Sequence, residues 1–181
     1  IFQNASFMVN GNKHIWISGS NGSGKSTLLK ILAKHIESDS GTIELGSSVN
    51  IGYFTQELDA TNIDRTVLAE LQQEGASSTD AYKFAKYMHI EPDMLTKPLS
   101  ALSRGQLTKV EFIKLLMGSN QLLILDEPTN HLEIETREQI EEALRDYQGA
   151  IIVASHDRYF LESIRIDKEY RLEDGILNEV K

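Results

Sequence analysis

Residues 19–26 read Gly-Ser-Asn-Gly-Ser-Gly-Lys-Ser, and no other segment limits the fold as tightly. Three glycines within six positions cannot continue either a strand or a helix. Just before them, residues 13–18 alternate and carry Ile15, Trp16 and Ile17, the pattern of a strand. Just after them, from Lys25 onward, Leu28, Leu29, Leu32 and Ile36 recur on one helical face. A strand, a glycine turn and a helix in that order form a seat for an anion. Gly19, Gly22 and Gly24 let the backbone amides converge on phosphate oxygens. The helix points its positive end at the same place. Lys25 can reach β- and γ-phosphates as a point charge, and Ser26 can ligate Mg²⁺. By residue frequencies alone this spacing arises in about one chain in a hundred of this length. The strand before it and the helix after it separate it from an ordinary flexible turn.

A second constellation lies about a hundred residues downstream. Residues 122–125 are apolar without alternation, as expected of a strand covered on both faces. They run into Asp126 and Glu127, and Pro128 ends the strand. Open α/β sheets place their ligands at the carboxyl ends of strands. Asp126 would hold Mg²⁺ directly or through water, and Glu127 would poise an attacking water as base or orienting group. An acidic strand end at a turn is common in itself; the upstream phosphate loop gives this one its meaning.

The rest of the chain reads as strands alternating with helices, hence a mainly parallel α/β sheet. Short strands are expected at 42–45 and 49–55. Residues 60–118 change character and read as a small helical subdomain, with helical stretches at 67–74 and 79–88. Residues 103–117 form its strongest helix, with Ser103 as N-cap. An amphipathic helix is expected at 134–147, with Ile140, Ala143, Leu144 and Tyr147 on one side, and a second apolar strand at 150–154. Asp174-Gly175 joins two further strands as a hairpin.

Composition removes several alternatives. The 181 residues contain no cysteine, so disulfides and thiolate metal sites are excluded. The five histidines show no zinc spacing. A net charge of −9 disfavours general binding to a nucleic-acid backbone. That charge is uneven: residues 1–56 hold four lysines against three acids, whereas residues 126–146 hold eight acids and two arginines. No apolar run approaches the ~20 residues a membrane helix needs, and no signal peptide is read at the start. A start at Ile1 without methionine is expected of a piece of a longer protein.

Further motifs carry a family resemblance. Leu102-Ser103-Arg104-Gly105-Gln106 resembles the Leu-Ser-Gly-Gly-Gln signature of ATP-binding-cassette (ABC) ATPases. Gln56 resembles that family's Q-loop glutamine, Asn130-His131-Leu132-Glu133 its D-loop, and His156 its switch histidine. In order, these span residues 2–177. The resemblance implies an α/β P-loop NTPase of ABC type, with a mainly parallel core sheet, flanking helices, an antiparallel β portion and a small helical subdomain. It implies one ATPase domain over residues 1–181, with its first strand missing. It also implies ATP and Mg²⁺ as ligands. Gly19, Ser20, Asn21, Gly22, Ser23, Gly24, Lys25, Ser26 and Thr27 would bind the nucleotide. Ser26, Gln56 and Asp126 would bind the metal, and Glu127, His156, Lys25 and Gln56 would serve catalysis. In the family, two such domains sandwich two ATP molecules. Ser103, Gly105 and Gln106 would therefore face the nucleotide of a second ATPase domain, on the same parent chain or in a homodimer.

Asp126-Glu-Pro-Thr-Asn-His-Leu132 and Ala154-Ser-His-Asp-Arg-Tyr-Phe160 resemble the ABC-F branch, most closely the second ATPase domain of its antibiotic-resistance members. That implies a cytoplasmic protein acting on the ribosome, without membrane insertion. Two other readings stand beside it: the ATPase subunit of a membrane transporter, and a catalytically silent clamp, against which Lys25, Asp126, Glu127 and His156 count. The sequence departs from the family in three ways. Arg104 replaces a glycine, Glu133 replaces an aspartate, and the adenine-stacking aromatic falls before Ile1. Loss of such a stack predicts ATP binding weaker than in the parent by ~1 to 3 kcal/mol.

Overall fold

The computed structural model describes residues 2–3, 5–55, 63–74 and 77–180. Strand β1 (His14–Ser18) runs in the interior of a sheet and leads into the glycine loop. On one side it pairs in parallel with β4 (Ala150–Ala154). Beyond β4 come β3 (Leu122–Asp126) and then β2 (Ile51–Phe54), both parallel. On the other side β1 pairs in parallel with β5 (Lys168–Glu173), which pairs antiparallel with β6 (Ile176–Val180). Strands β3 and β4 are buried at every position, which is why their sequences carry no alternation. Asp174 and Gly175, at φ 50° and 76°, make the two-residue turn between β5 and β6. Positive φ at both turn residues matches the right-handed strand twist, and Asp-Gly supplies it.

Residues 42–45 do not form the expected strand. The edges of the sheet are β2 and β6, and Thr42 to Glu44 lie exposed with no ladder to join. Alternation alone does not make a strand; a hydrogen-bonding neighbour does. Helix α1 (Lys25–Leu32) is shorter than its apolar repeat predicts. Lys34 turns left-handed at φ 61°, which ends the helix and leaves Ile36 exposed.

The core on the α1 side is built from Ile15, Ile17, Leu28, Leu29, Ile124, Ile152 and Leu172, all buried. The described chain falls into two compact units. The first comprises residues 1–56, 120–130 and 147–181 and holds the whole sheet. The second comprises residues 57–119 and 131–146 and is helical. Its elements include α2 (Val67–Leu71), α3 (Ser78–Tyr87), α4 (Arg104–Met117) and α5 (Ile134–Arg145).

Buried Glu70 ties part of the second unit together. It accepts from Lys114 on α4 at 2.7 Å, from Arg65 at 3.0 Å and from Gln73 at 2.9 Å. Three donors on one carboxylate satisfy a charge that would otherwise be costly to bury. Helix α5 ends at Arg145, before the expected Tyr147. Tyr147 instead donates its hydroxyl to the Asn120 carbonyl at 2.9 Å, and burial pushes its pKa up to about 12. No helix among the described residues is long and apolar enough to cross a membrane.

Candidate active site

The first unit gathers the expected loop residues 19–27 together with Asp126, Glu127 and His156 at the carboxyl ends of β1, β3 and β4. Gly19 leaves β1 at φ 149°, and a Cβ there would collide with the Leu172 carbonyl and lie 2.8 Å from Ser23 Oγ. No other residue fits that turn. Ser23 N donates to Ser20 O at 3.2 Å, which tightens the loop. Gly22 and Gly24 follow at φ 79° and 104°. Gly24 is the N-cap of α1, makes no side-chain cap bond, and is followed by no acidic residue in the first turn. By helix geometry the amides of residues 24–27 have no carbonyl to pair with, and Leu28 N is the first to bond, to Gly24 O at 2.9 Å. The result is a set of free amide dipoles aimed into the loop.

Lys25 is buried and folds back over the loop, donating to the carbonyls of Gly19 and Ser20 at 3.0 Å each. Its ammonium is also 3.4 Å from His156 Nε2. Ser26 Oγ donates to Asp126 Oδ1 at 3.1 Å. A hydroxyl and a carboxylate side by side, both hard oxygen donors, suit Mg²⁺, which takes one or two protein ligands and completes its shell with phosphate and water. Ser23 Oγ is buried without a hydrogen-bond partner, an orphaned group in the wall of the loop. These features fit a Mg²⁺-nucleotide.

Glu127 sits in the left-handed region at φ 48°, unusual for a side chain of its size. The strain is held by Glu127 N donating to Ala154 O at 2.8 Å and by Asn130 N donating to Glu127 O at 3.3 Å. This twist directs the carboxylate toward the end of β4. There Oε2 accepts from His156 N at 3.3 Å, and Oε1 lies 3.6 Å from His156 Nε2. Burial pushes the Glu127 carboxyl pKa up. His156 and Lys25 pull it back down, and the neighbouring Asp126 adds to the rise. A raised carboxyl next to a cation is the usual setting of a general base.

The remaining expected residues lie elsewhere or outside view. Ser103, Gly105 and Gln106 stand at the start of α4, in the second unit. Ser103 and Gln106 form a capping box. Ser103 Oγ accepts from Gln106 N at 3.3 Å, and Gln106 Oε1 accepts from Ser103 N at 2.9 Å. Gln106 Nε2 is turned to Met94 Sδ at 3.3 Å. The sequence assigned Gln106 to nucleotide; in the structure its side chain serves the cap. Arg104 is exposed, and Gly105 has room around it, with Thr136 Oγ1 3.5 Å from where a Cβ would stand. Gln56 lies outside the described residues. Ser20, Asn21 and Thr27 occupy the loop and first turn as expected.

Three residues beside the site were not found by sequence reasoning. Trp16 donates its indole N–H to Ser155 O at 3.1 Å, and Ser155 Oγ accepts from Asp157 N at 3.1 Å. Asp157 then caps α6 (Arg158–Ser163) by accepting from Phe160 N at 3.2 Å. The Ser-x-Asp spacing before a helix is a readable turn-and-cap signal.

A mainly parallel sheet with a phosphate loop after an interior strand, and an acidic pair after the strand two places away, defines a P-loop ATPase domain. Its family follows from comparison: the model described as "ABC transporter" matches residues 2–130, and the chain belongs to that family as an ABC-type ATPase domain. It is 37% identical, over 99% of its length, to ABC transporter F family member 5 of Arabidopsis thaliana. It is 35% identical, again over 99%, to the ribosome protection protein VmlR of Bacillus subtilis. It spans 26% and 34% of those two proteins, so it matches only part of each. Its fold matches a dimeric, post-hydrolysis ATP-binding cassette bound to ADP and Pi, with a TM-score of 0.83 at 22% identity, covering 99% of this chain and 90% of that one.

Proposed function

We propose that this chain is the ATP-hydrolysing module of an ABC-F-type protein that acts on the ribosome, as a translation factor or in protection against antibiotics. The observation that carries the ATPase assignment is the convergence of Lys25, Ser26, Asp126, Glu127 and His156 within one compact unit. Similarity over nearly the whole chain to a ribosome protection protein supports the choice of partner.

In this reading the loop amides and Lys25 bind the β- and γ-phosphates. Ser26 and Asp126 hold Mg²⁺, with Gln56 as a further ligand. Bound Mg²⁺ would neutralise phosphate charge and polarise the transferring phosphoryl group. Glu127 takes the proton of the attacking water, and His156 orients Glu127 through its backbone amide and its ring. Ser103 O–H and the Gly105 amide, at the start of α4, donate to the γ-phosphate held by a second ATPase domain. Gln106 keeps that helix end in shape. Because each site then needs two domains, the hydrolysis rate of the isolated chain should rise more steeply than its concentration.

The test uses the protein that carries this chain, with Glu127→Gln, incubated with ATP and Mg²⁺ in cell lysate and sedimented. Recovery with ribosomes, with ATP retained, supports the reading. Recovery with membranes alone replaces the ribosome by a transporter partner. Failure to retain ATP overturns the site assignment itself.

A further inference from the structure

The His156 segment is pinned at several points, and one of them belongs to no nucleotide-binding motif. Strand β1 pairs with β4 so that Trp16 stands opposite Val153. From there the half-buried indole reaches two residues further along and donates to the Ser155 carbonyl, 139 positions away in sequence. The neighbouring carbonyl, of Ala154, is held by Glu127 N. The next amide, of His156, donates to Glu127 Oε2. The peptide joining Ser155 to His156 therefore has its carbonyl fixed by Trp16 and its N–H fixed by Glu127. A peptide unit is rigid and planar, so fixing one end fixes the other. Moving the Ser155 carbonyl would swing the His156 amide off Glu127 and carry the imidazole away from Lys25.

We propose that Trp16 is a positioning residue for catalysis: its indole N–H sets the direction of the Ser155–His156 peptide, and through it the placement of His156 between Lys25 and Glu127. The proposal rests on the assignment of His156 and Lys25 to the nucleotide site. It has a second consequence. Lys25 Nζ is 3.4 Å from His156 Nε2, so an anion that draws Lys25 off the loop carbonyls also changes what His156 faces. That change reaches the indole through one peptide bond. Trp16 is the only tryptophan in the chain. Its emission should therefore report nucleotide at the loop.

The experiment titrates the 181-residue chain with Mg²⁺-ATP, following binding by calorimetry and Trp16 by fluorescence. The expected result is an emission change that saturates with binding in the wild type and is lost in His156→Ala, although that variant still binds. The same emission change in His156→Ala would overturn the proposal. Absence of calorimetric binding in the wild type would overturn the nucleotide-site reading, and the proposal with it. A second arm applies to hydrolysis. Trp16→Phe keeps the ring and removes the donor. Loss of one neutral hydrogen bond predicts a kcat about fivefold lower, with KM held within about a factor of two. In a His156→Ala background the same substitution should cost nothing further, because its effect passes through His156. An equal loss in both backgrounds would make Trp16 a packing residue and overturn the proposal.

Discussion

The N-termini of α1 and α4 are finished in opposite ways. The end of α1 is left open: Gly24 caps it without a side chain, no acid stands in the first turn, and buried Lys25 adds a positive charge. The end of α4 is closed by its own side chains, Ser103 and Gln106, in a reciprocal capping box. An open end must find its acceptors elsewhere, and an anion is the natural one. A closed end is stable by itself and has only a hydroxyl proton and the amides nearest the cap left to offer. The first is a seat for phosphate. The second is a rigid probe that can add a few donors to a phosphate already held. Substitutions at the first should therefore cost binding, and at the second, stability and turnover.

The largest effect should come from the chemistry that neither helix end performs. Glu127→Gln should lower turnover by about 10² to 10⁴-fold, the range for loss of a general base, while ATP still binds. Single-turnover kinetics beside equilibrium binding would measure both. A variant that loses binding as well would mean that Glu127 shapes the seat, and the division between seat and chemistry would fail. Next, Lys25→Ala should weaken ATP binding by about a hundredfold, as expected for a charged donor to phosphate. The melting temperature should hold, since the contacts of the Lys25 ammonium, to two loop carbonyls and His156, all lie within the site. Calorimetry and thermal melts on one preparation would check this. A large fall in melting temperature would show that the α1 end is structural after all.

The contrast reverses at α4. Ser103→Ala should cost ~1 kcal/mol of stability, whereas Ser103→Gly should cost only a few tenths. For a chain of this size, 1 kcal/mol corresponds to a melting temperature lower by about 2 to 4 °C. ATP binding to the isolated chain should be unchanged in both. Weaker ATP binding by Ser103→Ala would break the distinction between seat and probe.

The open end was legible in the sequence because its whole logic is contiguous. Glycines, lysine and serine follow one another, and the apolar runs at 122–125 and 150–154 announce the strands that carry Asp126 and the approach to His156. What could not be read depends on partners far along the chain. Residues 42–45 had the composition of a strand but no neighbour to complete it. The length of α1 was set by Lys34 turning left-handed, which no periodicity encodes. The twist at Glu127 is fixed by the Ala154 carbonyl, and the role of Trp16 by the Ser155 carbonyl. Gln106 is ambiguous for a different reason. A glutamine three residues after a serine is a capping-box signature, yet the same residues resemble a nucleotide-binding motif, and both readings fit one string.

Gln106 also gives the finest test of the comparison, because one substitution separates its two roles. A capping box accepts glutamate as well as glutamine at this position. Gln106→Glu should keep the bond to Ser103 N, lose the contact to Met94 Sδ, and gain a favourable charge at the positive end of α4. The net change in stability should stay within about 0.5 kcal/mol. If Gln106 only holds the cap, hydrolysis by the assembled pair of domains should remain within a few-fold of wild type. If its side chain touches the γ-phosphate of the partner site, the new carboxylate would face that phosphate directly. Two like charges 4 Å apart near a protein surface repel by about 4 kcal/mol, roughly a thousandfold in rate. Steady-state hydrolysis at saturating ATP, read beside a thermal melt, distinguishes these outcomes. A stable variant with a thousandfold loss would make Gln106 a phosphate contact. The closed end of α4 would then have to open when the two domains meet.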